Sequence, residues 1–111
     1  MSRLFEETEI NGMKLANRLV RSATWEGMAA RDGACTPALV DLMAELARGG
    51  VGLIITSHAY VRTDGQAGAG QLGIYDDTFL EGFRKMTRAV HDSAGWVHLI
   101  QVQRVNIYKT Y

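Results

Sequence analysis

Apolar residues recur along this chain with two periods, and each switch between them marks a new element. Leu19 and Val20 form a short apolar run that Ser22 and Thr24 interrupt, the pattern of a buried strand whose C-terminal end opens into a polar site. Upstream, residues 8–15 alternate around Asn11-Gly12, the pair that best tolerates positive φ at both centres of a tight turn, which predicts a small hairpin plugging the first strand. Downstream, Thr36-Pro37 reads as a cap followed by proline at the first helical position. Leu39, Leu42, Met43, Leu46 and Ala47 then share one helix face, and Gly49-Gly50 ends it. Val51-Gly52-Leu53-Ile54-Ile55-Thr56 is a continuous apolar run of the kind found in a parallel strand covered on both faces. A long glycine-rich connection is expected over residues 60–75. Asp76-Asp77 is expected to cap a second helix with Phe79, Leu80, Phe83, Met86 and Val90 as its buried stripe, and Val97, Leu99 and Ile100 form a third strand reaching Gln101. The order is β-α-β-α-β, an α/β arrangement with a parallel sheet.

Composition narrows the class of partner. The chain has 111 residues, enough for one modest domain, and its twelve basic residues cancel its twelve acidic ones. No net field favours nucleic acid or a membrane surface, so the expected partner is a small molecule. Cys35 is the only cysteine, no apolar leader precedes the acidic residues near the start, and no run reaches the ~20 apolar residues of a membrane helix, which together suggest a reducing, cytoplasmic setting.

Two chemistries compete for the polar residues. Gly68, Gly70 and Gly73 match Gly-x-Gly-x-x-Gly, the dinucleotide fingerprint of a Rossmann module. That fingerprint works only where the glycines join a strand end directly to a helix start; here Thr56 lies twelve residues before Gly68, and Asp76-Asp77 would oppose the phosphates. The strand-end reading fits better. In parallel α/β folds ligands sit at the carboxyl ends of strands, where Ser22 to Trp25, Thr56 to His58, and Gln101 arrive. That set carries hydroxyls, an amide and backbone donors but no carboxylate, so it suits a flat neutral ring, and no metal is expected.

Several motifs in register give the chain a family resemblance. Leu4-Phe5, Asn17-Arg18-Leu19-Val20 leading into Ser22-Ala23-Thr24, Asp32-Gly33 with Thr36-Pro37, Gly52-Leu53-Ile54-Ile55, and Leu72-Gly73-Ile74-Tyr75-Asp76-Asp77 with Gly82-Phe83 closely resemble the N-terminal third of the old yellow enzyme family, over about residues 3 to 95. These are NADH:flavin oxidoreductases that include 2,4-dienoyl-CoA reductases. The resemblance implies the β-α-β-α-β portion of a (β/α)8 TIM barrel, preceded by the hairpin, with FMN at the C-terminal face. It also implies NADH or NADPH as electron donor and an activated alkene, enone or enoyl thioester as substrate. By position it implies that Ser22, Ala23, Thr24 and Trp25 lie along the flavin, that His58 contacts the ring from the second strand, and that Gln101 meets the pyrimidine edge. Gly27 falls where some members carry a substrate-touching tyrosine. Trp25 stands where many relatives have threonine or cysteine, so tuning of the flavin by a thiol is excluded here, while an indole N–H remains able to donate.

The remaining residues take structural readings. Ser22 and Thr24 can cap a strand end, His58 can be a satisfied structural histidine, His91 and His98 lack a site context, Cys35 is a bystander thiol, and Arg18 is an ion-pair or hydrogen-bond residue on the face away from the flavin. After Gln101 the family's histidine-containing run is replaced by residues 102–111, an aberrant tail beside a partial barrel domain of residues 1–101. The family's carbonyl-gripping His-x-x-His or His-x-x-Asn pair, its proton-donating tyrosine and its phosphate site belong to later strands, so no catalytic residue is assigned. A few ring contacts at ~1 kcal/mol each fall short of the ~4–15 kcal/mol lost on association, so FMN is expected to bind weakly or not at all. The chain is expected to be inactive alone and to self-associate through open sheet edges; the alternative is a non-enzymatic remnant or an interaction piece completed by another chain.

Overall fold

The first helix forms where its cap and its apolar stripe coincide. A computed structural model describes residues 3–94 and 98–100, and in it α1 runs Pro37–Arg48. The Thr36 hydroxyl accepts from the Leu39 N–H, proline occupies the first turn, and Gly49 and Gly50, the latter at φ +97°, end the helix. The hairpin follows from turn chemistry as expected. β1 (Thr8–Ile10) and β2 (Met13–Leu15) pair antiparallel across Asn11 and Gly12, at φ +48° and +88°.

Three short parallel strands make the sheet: β3 (Val20–Arg21), β4 (Leu53–Ile55) and a last strand at residues 98–100, in the order of the chain. Val20 lies opposite Leu53 and Arg21 opposite Ile54. Ile54 is buried with Leu39, Met43 and Ala47 of α1 and with Met86 and Val90 of α2 (Leu80–Ala94), so the core lies between the sheet and both helices. Side chains alternate along a strand, which turns Val20 to the opposite face, where it is 48% exposed. The start of β3 is tied to the start of β4 by Asn17: Nδ2 donates to the Gly50 carbonyl at 2.6 Å and Oδ1 accepts from the Leu19 N–H. A Cβ on Gly52 would come within 2.5 Å of that Oδ1, which is why the apolar run of β4 tolerates a glycine.

The structure departs from expectation in the glycine-rich connection. Residues 60–75 contain order: β5 (Ala59–Tyr60) and β6 (Leu72–Gly73) pair in parallel as a separate two-stranded sheet. Two-residue strands carry no readable period, so backbone packing rather than side-chain pattern makes them. The second helix also starts differently. Asp76 makes no side-chain cap, Asp77–Phe79 form a 3-10 turn, and Leu80 lies on the exposed side rather than in the stripe. Gly82 in α2 has a packing reason, since a Cβ there would stand 3.0 Å from that of Cys35. Among the described residues no helix is long and apolar enough to cross a membrane.

Candidate functional site

Parallel pairing in chain order brings the exits of β3, β4 and the last strand to one edge of the sheet. Ser22, Ala23, Thr24 and Trp25 leave β3 there and are all exposed; Thr24 Oγ1 donates to the Ser22 carbonyl at 2.9 Å, a local turn bond. His58 leaves β4 three residues past its end and lies against Trp25, ring centroids 5.6 Å apart and planes inclined by 26°. Gly27, at φ +66°, lies against the indole, where a Cβ would stand 3.2 Å from Trp25 Nε1; the positive φ is what calls for glycine. Gln101 follows the last strand directly but lies outside the described residues, as does the tail at 102–111.

The glycines of the fingerprint serve the loops. Gly73 sits inside β6 and the run opens no helix, so the Rossmann reading of Gly68, Gly70 and Gly73 lacks the strand-to-helix junction that phosphate binding needs. Gly70, at φ +90°, instead meets the Gly27 backbone so closely that a Cβ would fall 2.5 Å from the Gly27 carbonyl oxygen. The Ala29 N–H donates to the Gly70 carbonyl, the Gly73 N–H donates to the Gly33 carbonyl, and the hydroxyls of Tyr60 and Tyr75 both donate to the Asp32 carbonyl, at 2.6 and 3.1 Å. The loop after β3 and the loop after β4 are thus one framed unit. Burial, then Tyr75 and Asp32, pushes the Tyr60 phenol up to about 12, so it stays a donor.

Three side chains that the pattern did not single out complete the site. Arg21 turns back from β3, and its Nη1 donates to Glu26 Oε1 at 2.9 Å and to the Ile55 carbonyl at 3.1 Å. The pair is largely enclosed, with side-chain exposures of 15% and 3%. It binds the first loop over the end of β4 and occupies the Arg21 guanidinium. Gln71 is buried beside His58, its Nε2 2.6 Å from Nδ1. Opposite charges five residues apart, and a glutamine inside a glycine run, follow no helix or strand period, which is why sequence alone passes over them. A lone buried glutamine among glycines is nevertheless a signal, because a carboxamide is buried only with partners.

A flat uncharged ring fits what these residues offer. The Ser57 hydroxyl is buried between Thr56 and His58 and has no partner among the described residues, the half-exposed Trp25 indole lies on His58, and the Arg21 guanidinium is already neutralised.

Residues 3–108 match the family model described as NADH:flavin oxidoreductase / NADH oxidase family. An NADH oxidase of Thermoanaerobacter brockii is 37% identical over 89 residues, covering 79% of this chain and 14% of that protein. A probable flavin mononucleotide-dependent alkene reductase of Leishmania infantum is 33% identical over 86 residues, 78% of this chain and 23% of that protein. The old yellow enzyme homologue of Zymomonas mobilis superposes with a TM-score of 0.77 at 26% identity, over 90% of this chain and 28% of that one. The chain thus spans less than a third of each relative's length, and its fold is the opening part of their (β/α)8 barrel. It belongs to the NADH:flavin oxidoreductase / NADH oxidase family, whose cofactor is FMN and whose electron donor is a reduced nicotinamide.

Proposed function

We propose that this chain supplies the ring-facing side of an FMN site in an ene-reductase-type oxidoreductase, acting on an activated alkene, enone or enoyl thioester. The observation that carries this reading is the meeting of strand exits at one edge, with Trp25 stacked on His58 and, one residue earlier in the chain, the buried Ser57 hydroxyl, which has no partner among the described residues. Ser22, Ala23, Thr24, Trp25, His58 and Gln101 contact the isoalloxazine, and Gly27 leaves space for substrate above it. When bound, FMN supplies the hydride chemistry; the residues here orient the ring and keep one side of it dry. Residues 1–101 make up the barrel part of the chain and 102–111 its tail. The protein works in the cytoplasm, and the uncovered edge of β3 and the apolar face around Val20 favour self-association when the rest of a barrel does not cover them.

A flavin titration tests this. Arg21, the cation within β3, is engaged by Glu26, so its guanidinium is not free to take a phosphate. Riboflavin and FMN should therefore bind this chain with equal, weak affinity. FMN binding more than about tenfold tighter would show that a phosphate site operates here, and no binding of either would remove the flavin reading.

A further inference from the structure

A carboxamide is buried in the wall of the candidate site with both of its ends engaged. Gln71 is 1% exposed; its Oε1 accepts from the Ala67 N–H at 2.6 Å, and its Nε2 lies 2.6 Å from Nδ1 of His58. A backbone N–H only donates, so the amide atom it meets is the oxygen. The other amide atom is then an NH2 group, which also only donates. Nδ1 of His58 must accept, and a neutral imidazole that accepts at Nδ1 carries its proton on Nε2. That nitrogen has no partner among the described residues.

The backbone explains why these two side chains meet. β5 and β6 run parallel with Ala59 opposite Leu72, so the residues one step earlier, His58 and Gln71, arrive side by side at the mouth of the small sheet. Trp25 lies against the face of the imidazole and limits its tilt. The ring is held from two directions, and its bonding direction is set from one.

We infer that Gln71 is a positioning residue of the flavin site: it holds His58 as the Nε2–H tautomer, stacked on Trp25, so that the nitrogen left for an occupant is a donor. This rests on the flavin reading above. A donor at that point suits the carbonyl oxygens and unprotonated ring nitrogens of an isoalloxazine, and it opposes an occupant that presents only N–H groups.

Imidazole 15N spectra test the assignment without any flavin. The chain is labelled at histidine and recorded at about pH 8, above the ordinary histidine titration range, and the His58 signals are identified by their loss in His58→Asn. The expected result is one unaveraged tautomer, unprotonated at Nδ1 and protonated at Nε2. In Gln71→Glu, both oxygens accept, so the Ala67 bond survives and the proton moves to Nδ1. In Gln71→Met, which tolerates burial if the carboxylate does not, the two tautomers average. An averaged wild-type spectrum, or a Gln71→Glu protein that folds and still leaves Nδ1 bare, overturns the inference. A riboflavin titration separates it from the flavin reading. The Nε2–H proton should shift on saturation, and Gln71→Glu should bind riboflavin about 10-fold more weakly. Riboflavin binding that leaves Nε2–H unmoved overturns the positioning role alone. The expected tautomer in a chain that binds no riboflavin removes the flavin reading, and with it any role for Gln71 toward a flavin.

Discussion

Cys35 stands one residue before the cap of α1, where a helix dipole ordinarily makes a thiol acidic and reactive. The structure argues for the reverse. Burial against α2 comes first and the Glu26 carboxylate second, and together they push the thiol from its usual 9.0 up to about 11. Two pH units cut the thiolate fraction near neutrality by about 100-fold, and the thiolate is the nucleophile. Iodoacetamide at pH 8 should therefore alkylate Cys35 about 100-fold more slowly in the folded chain than in urea, and the rate should keep rising with pH well past 9. Replacing the second cause alone, Glu26→Gln, should recover only a small part of the rate. The same shift sets a stability trend. The folded state holds this proton more tightly, so its contribution is fully present below 9.0 and is lost as pH climbs through about 11. An alkylation rate in the folded chain equal to that in urea, or a profile that levels off below pH 9, would refute the reasoning.

Arg21→Met leaves the Glu26 carboxylate enclosed and unpaired, and should cost ~3–5 kcal/mol, seen as a lower urea midpoint at unchanged slope, with much of the loss recovered when Glu26→Gln is added. Gly70→Ala meets both a positive φ and the Gly27 carbonyl, so it should cost at least ~1–3 kcal/mol and raise hydrogen exchange at Ala29 and Gly73, whose amides close the two loops together. Tyr60→Phe removes the 2.6 Å bond to the Asp32 carbonyl while Tyr75 keeps a longer one, so its cost should stay at ~0.5–1.5 kcal/mol by the same urea measurement.

How far this was readable from sequence depends on whether a residue's partner is local. α1 was legible because its cap, its proline and its stripe all act within one helix, and the hairpin because Asn11-Gly12 decides it alone. The parallel sheet was legible because apolar runs alternated with a helical period. Leu80 falls off the buried stripe because, at 3.6 residues per turn, it stands about 120° round α2 from Met86 and about 80° from Val90. β5 and β6 were missed because two residues carry no period, and Gly70 between them and Gly73 in β6 answer to a backbone some forty residues away, Gly70 meeting Gly27 and Gly73 meeting Gly33. The strand exits announced Trp25 and His58; the residues that hold them, Arg21, Glu26 and Gln71, act through contacts that only the folded chain supplies.

A single fluorophore reads the central claim directly. The chain has two tryptophans, so in a Trp96→Phe background all indole emission comes from Trp25. If the exits of β3 and β4 face a flavin ring, riboflavin must quench that emission along a saturating curve, and His58→Ala must weaken the half-saturation point. Emission that falls only in proportion to absorbed light, while dialysis detects bound riboflavin, would put the flavin elsewhere and contradict it.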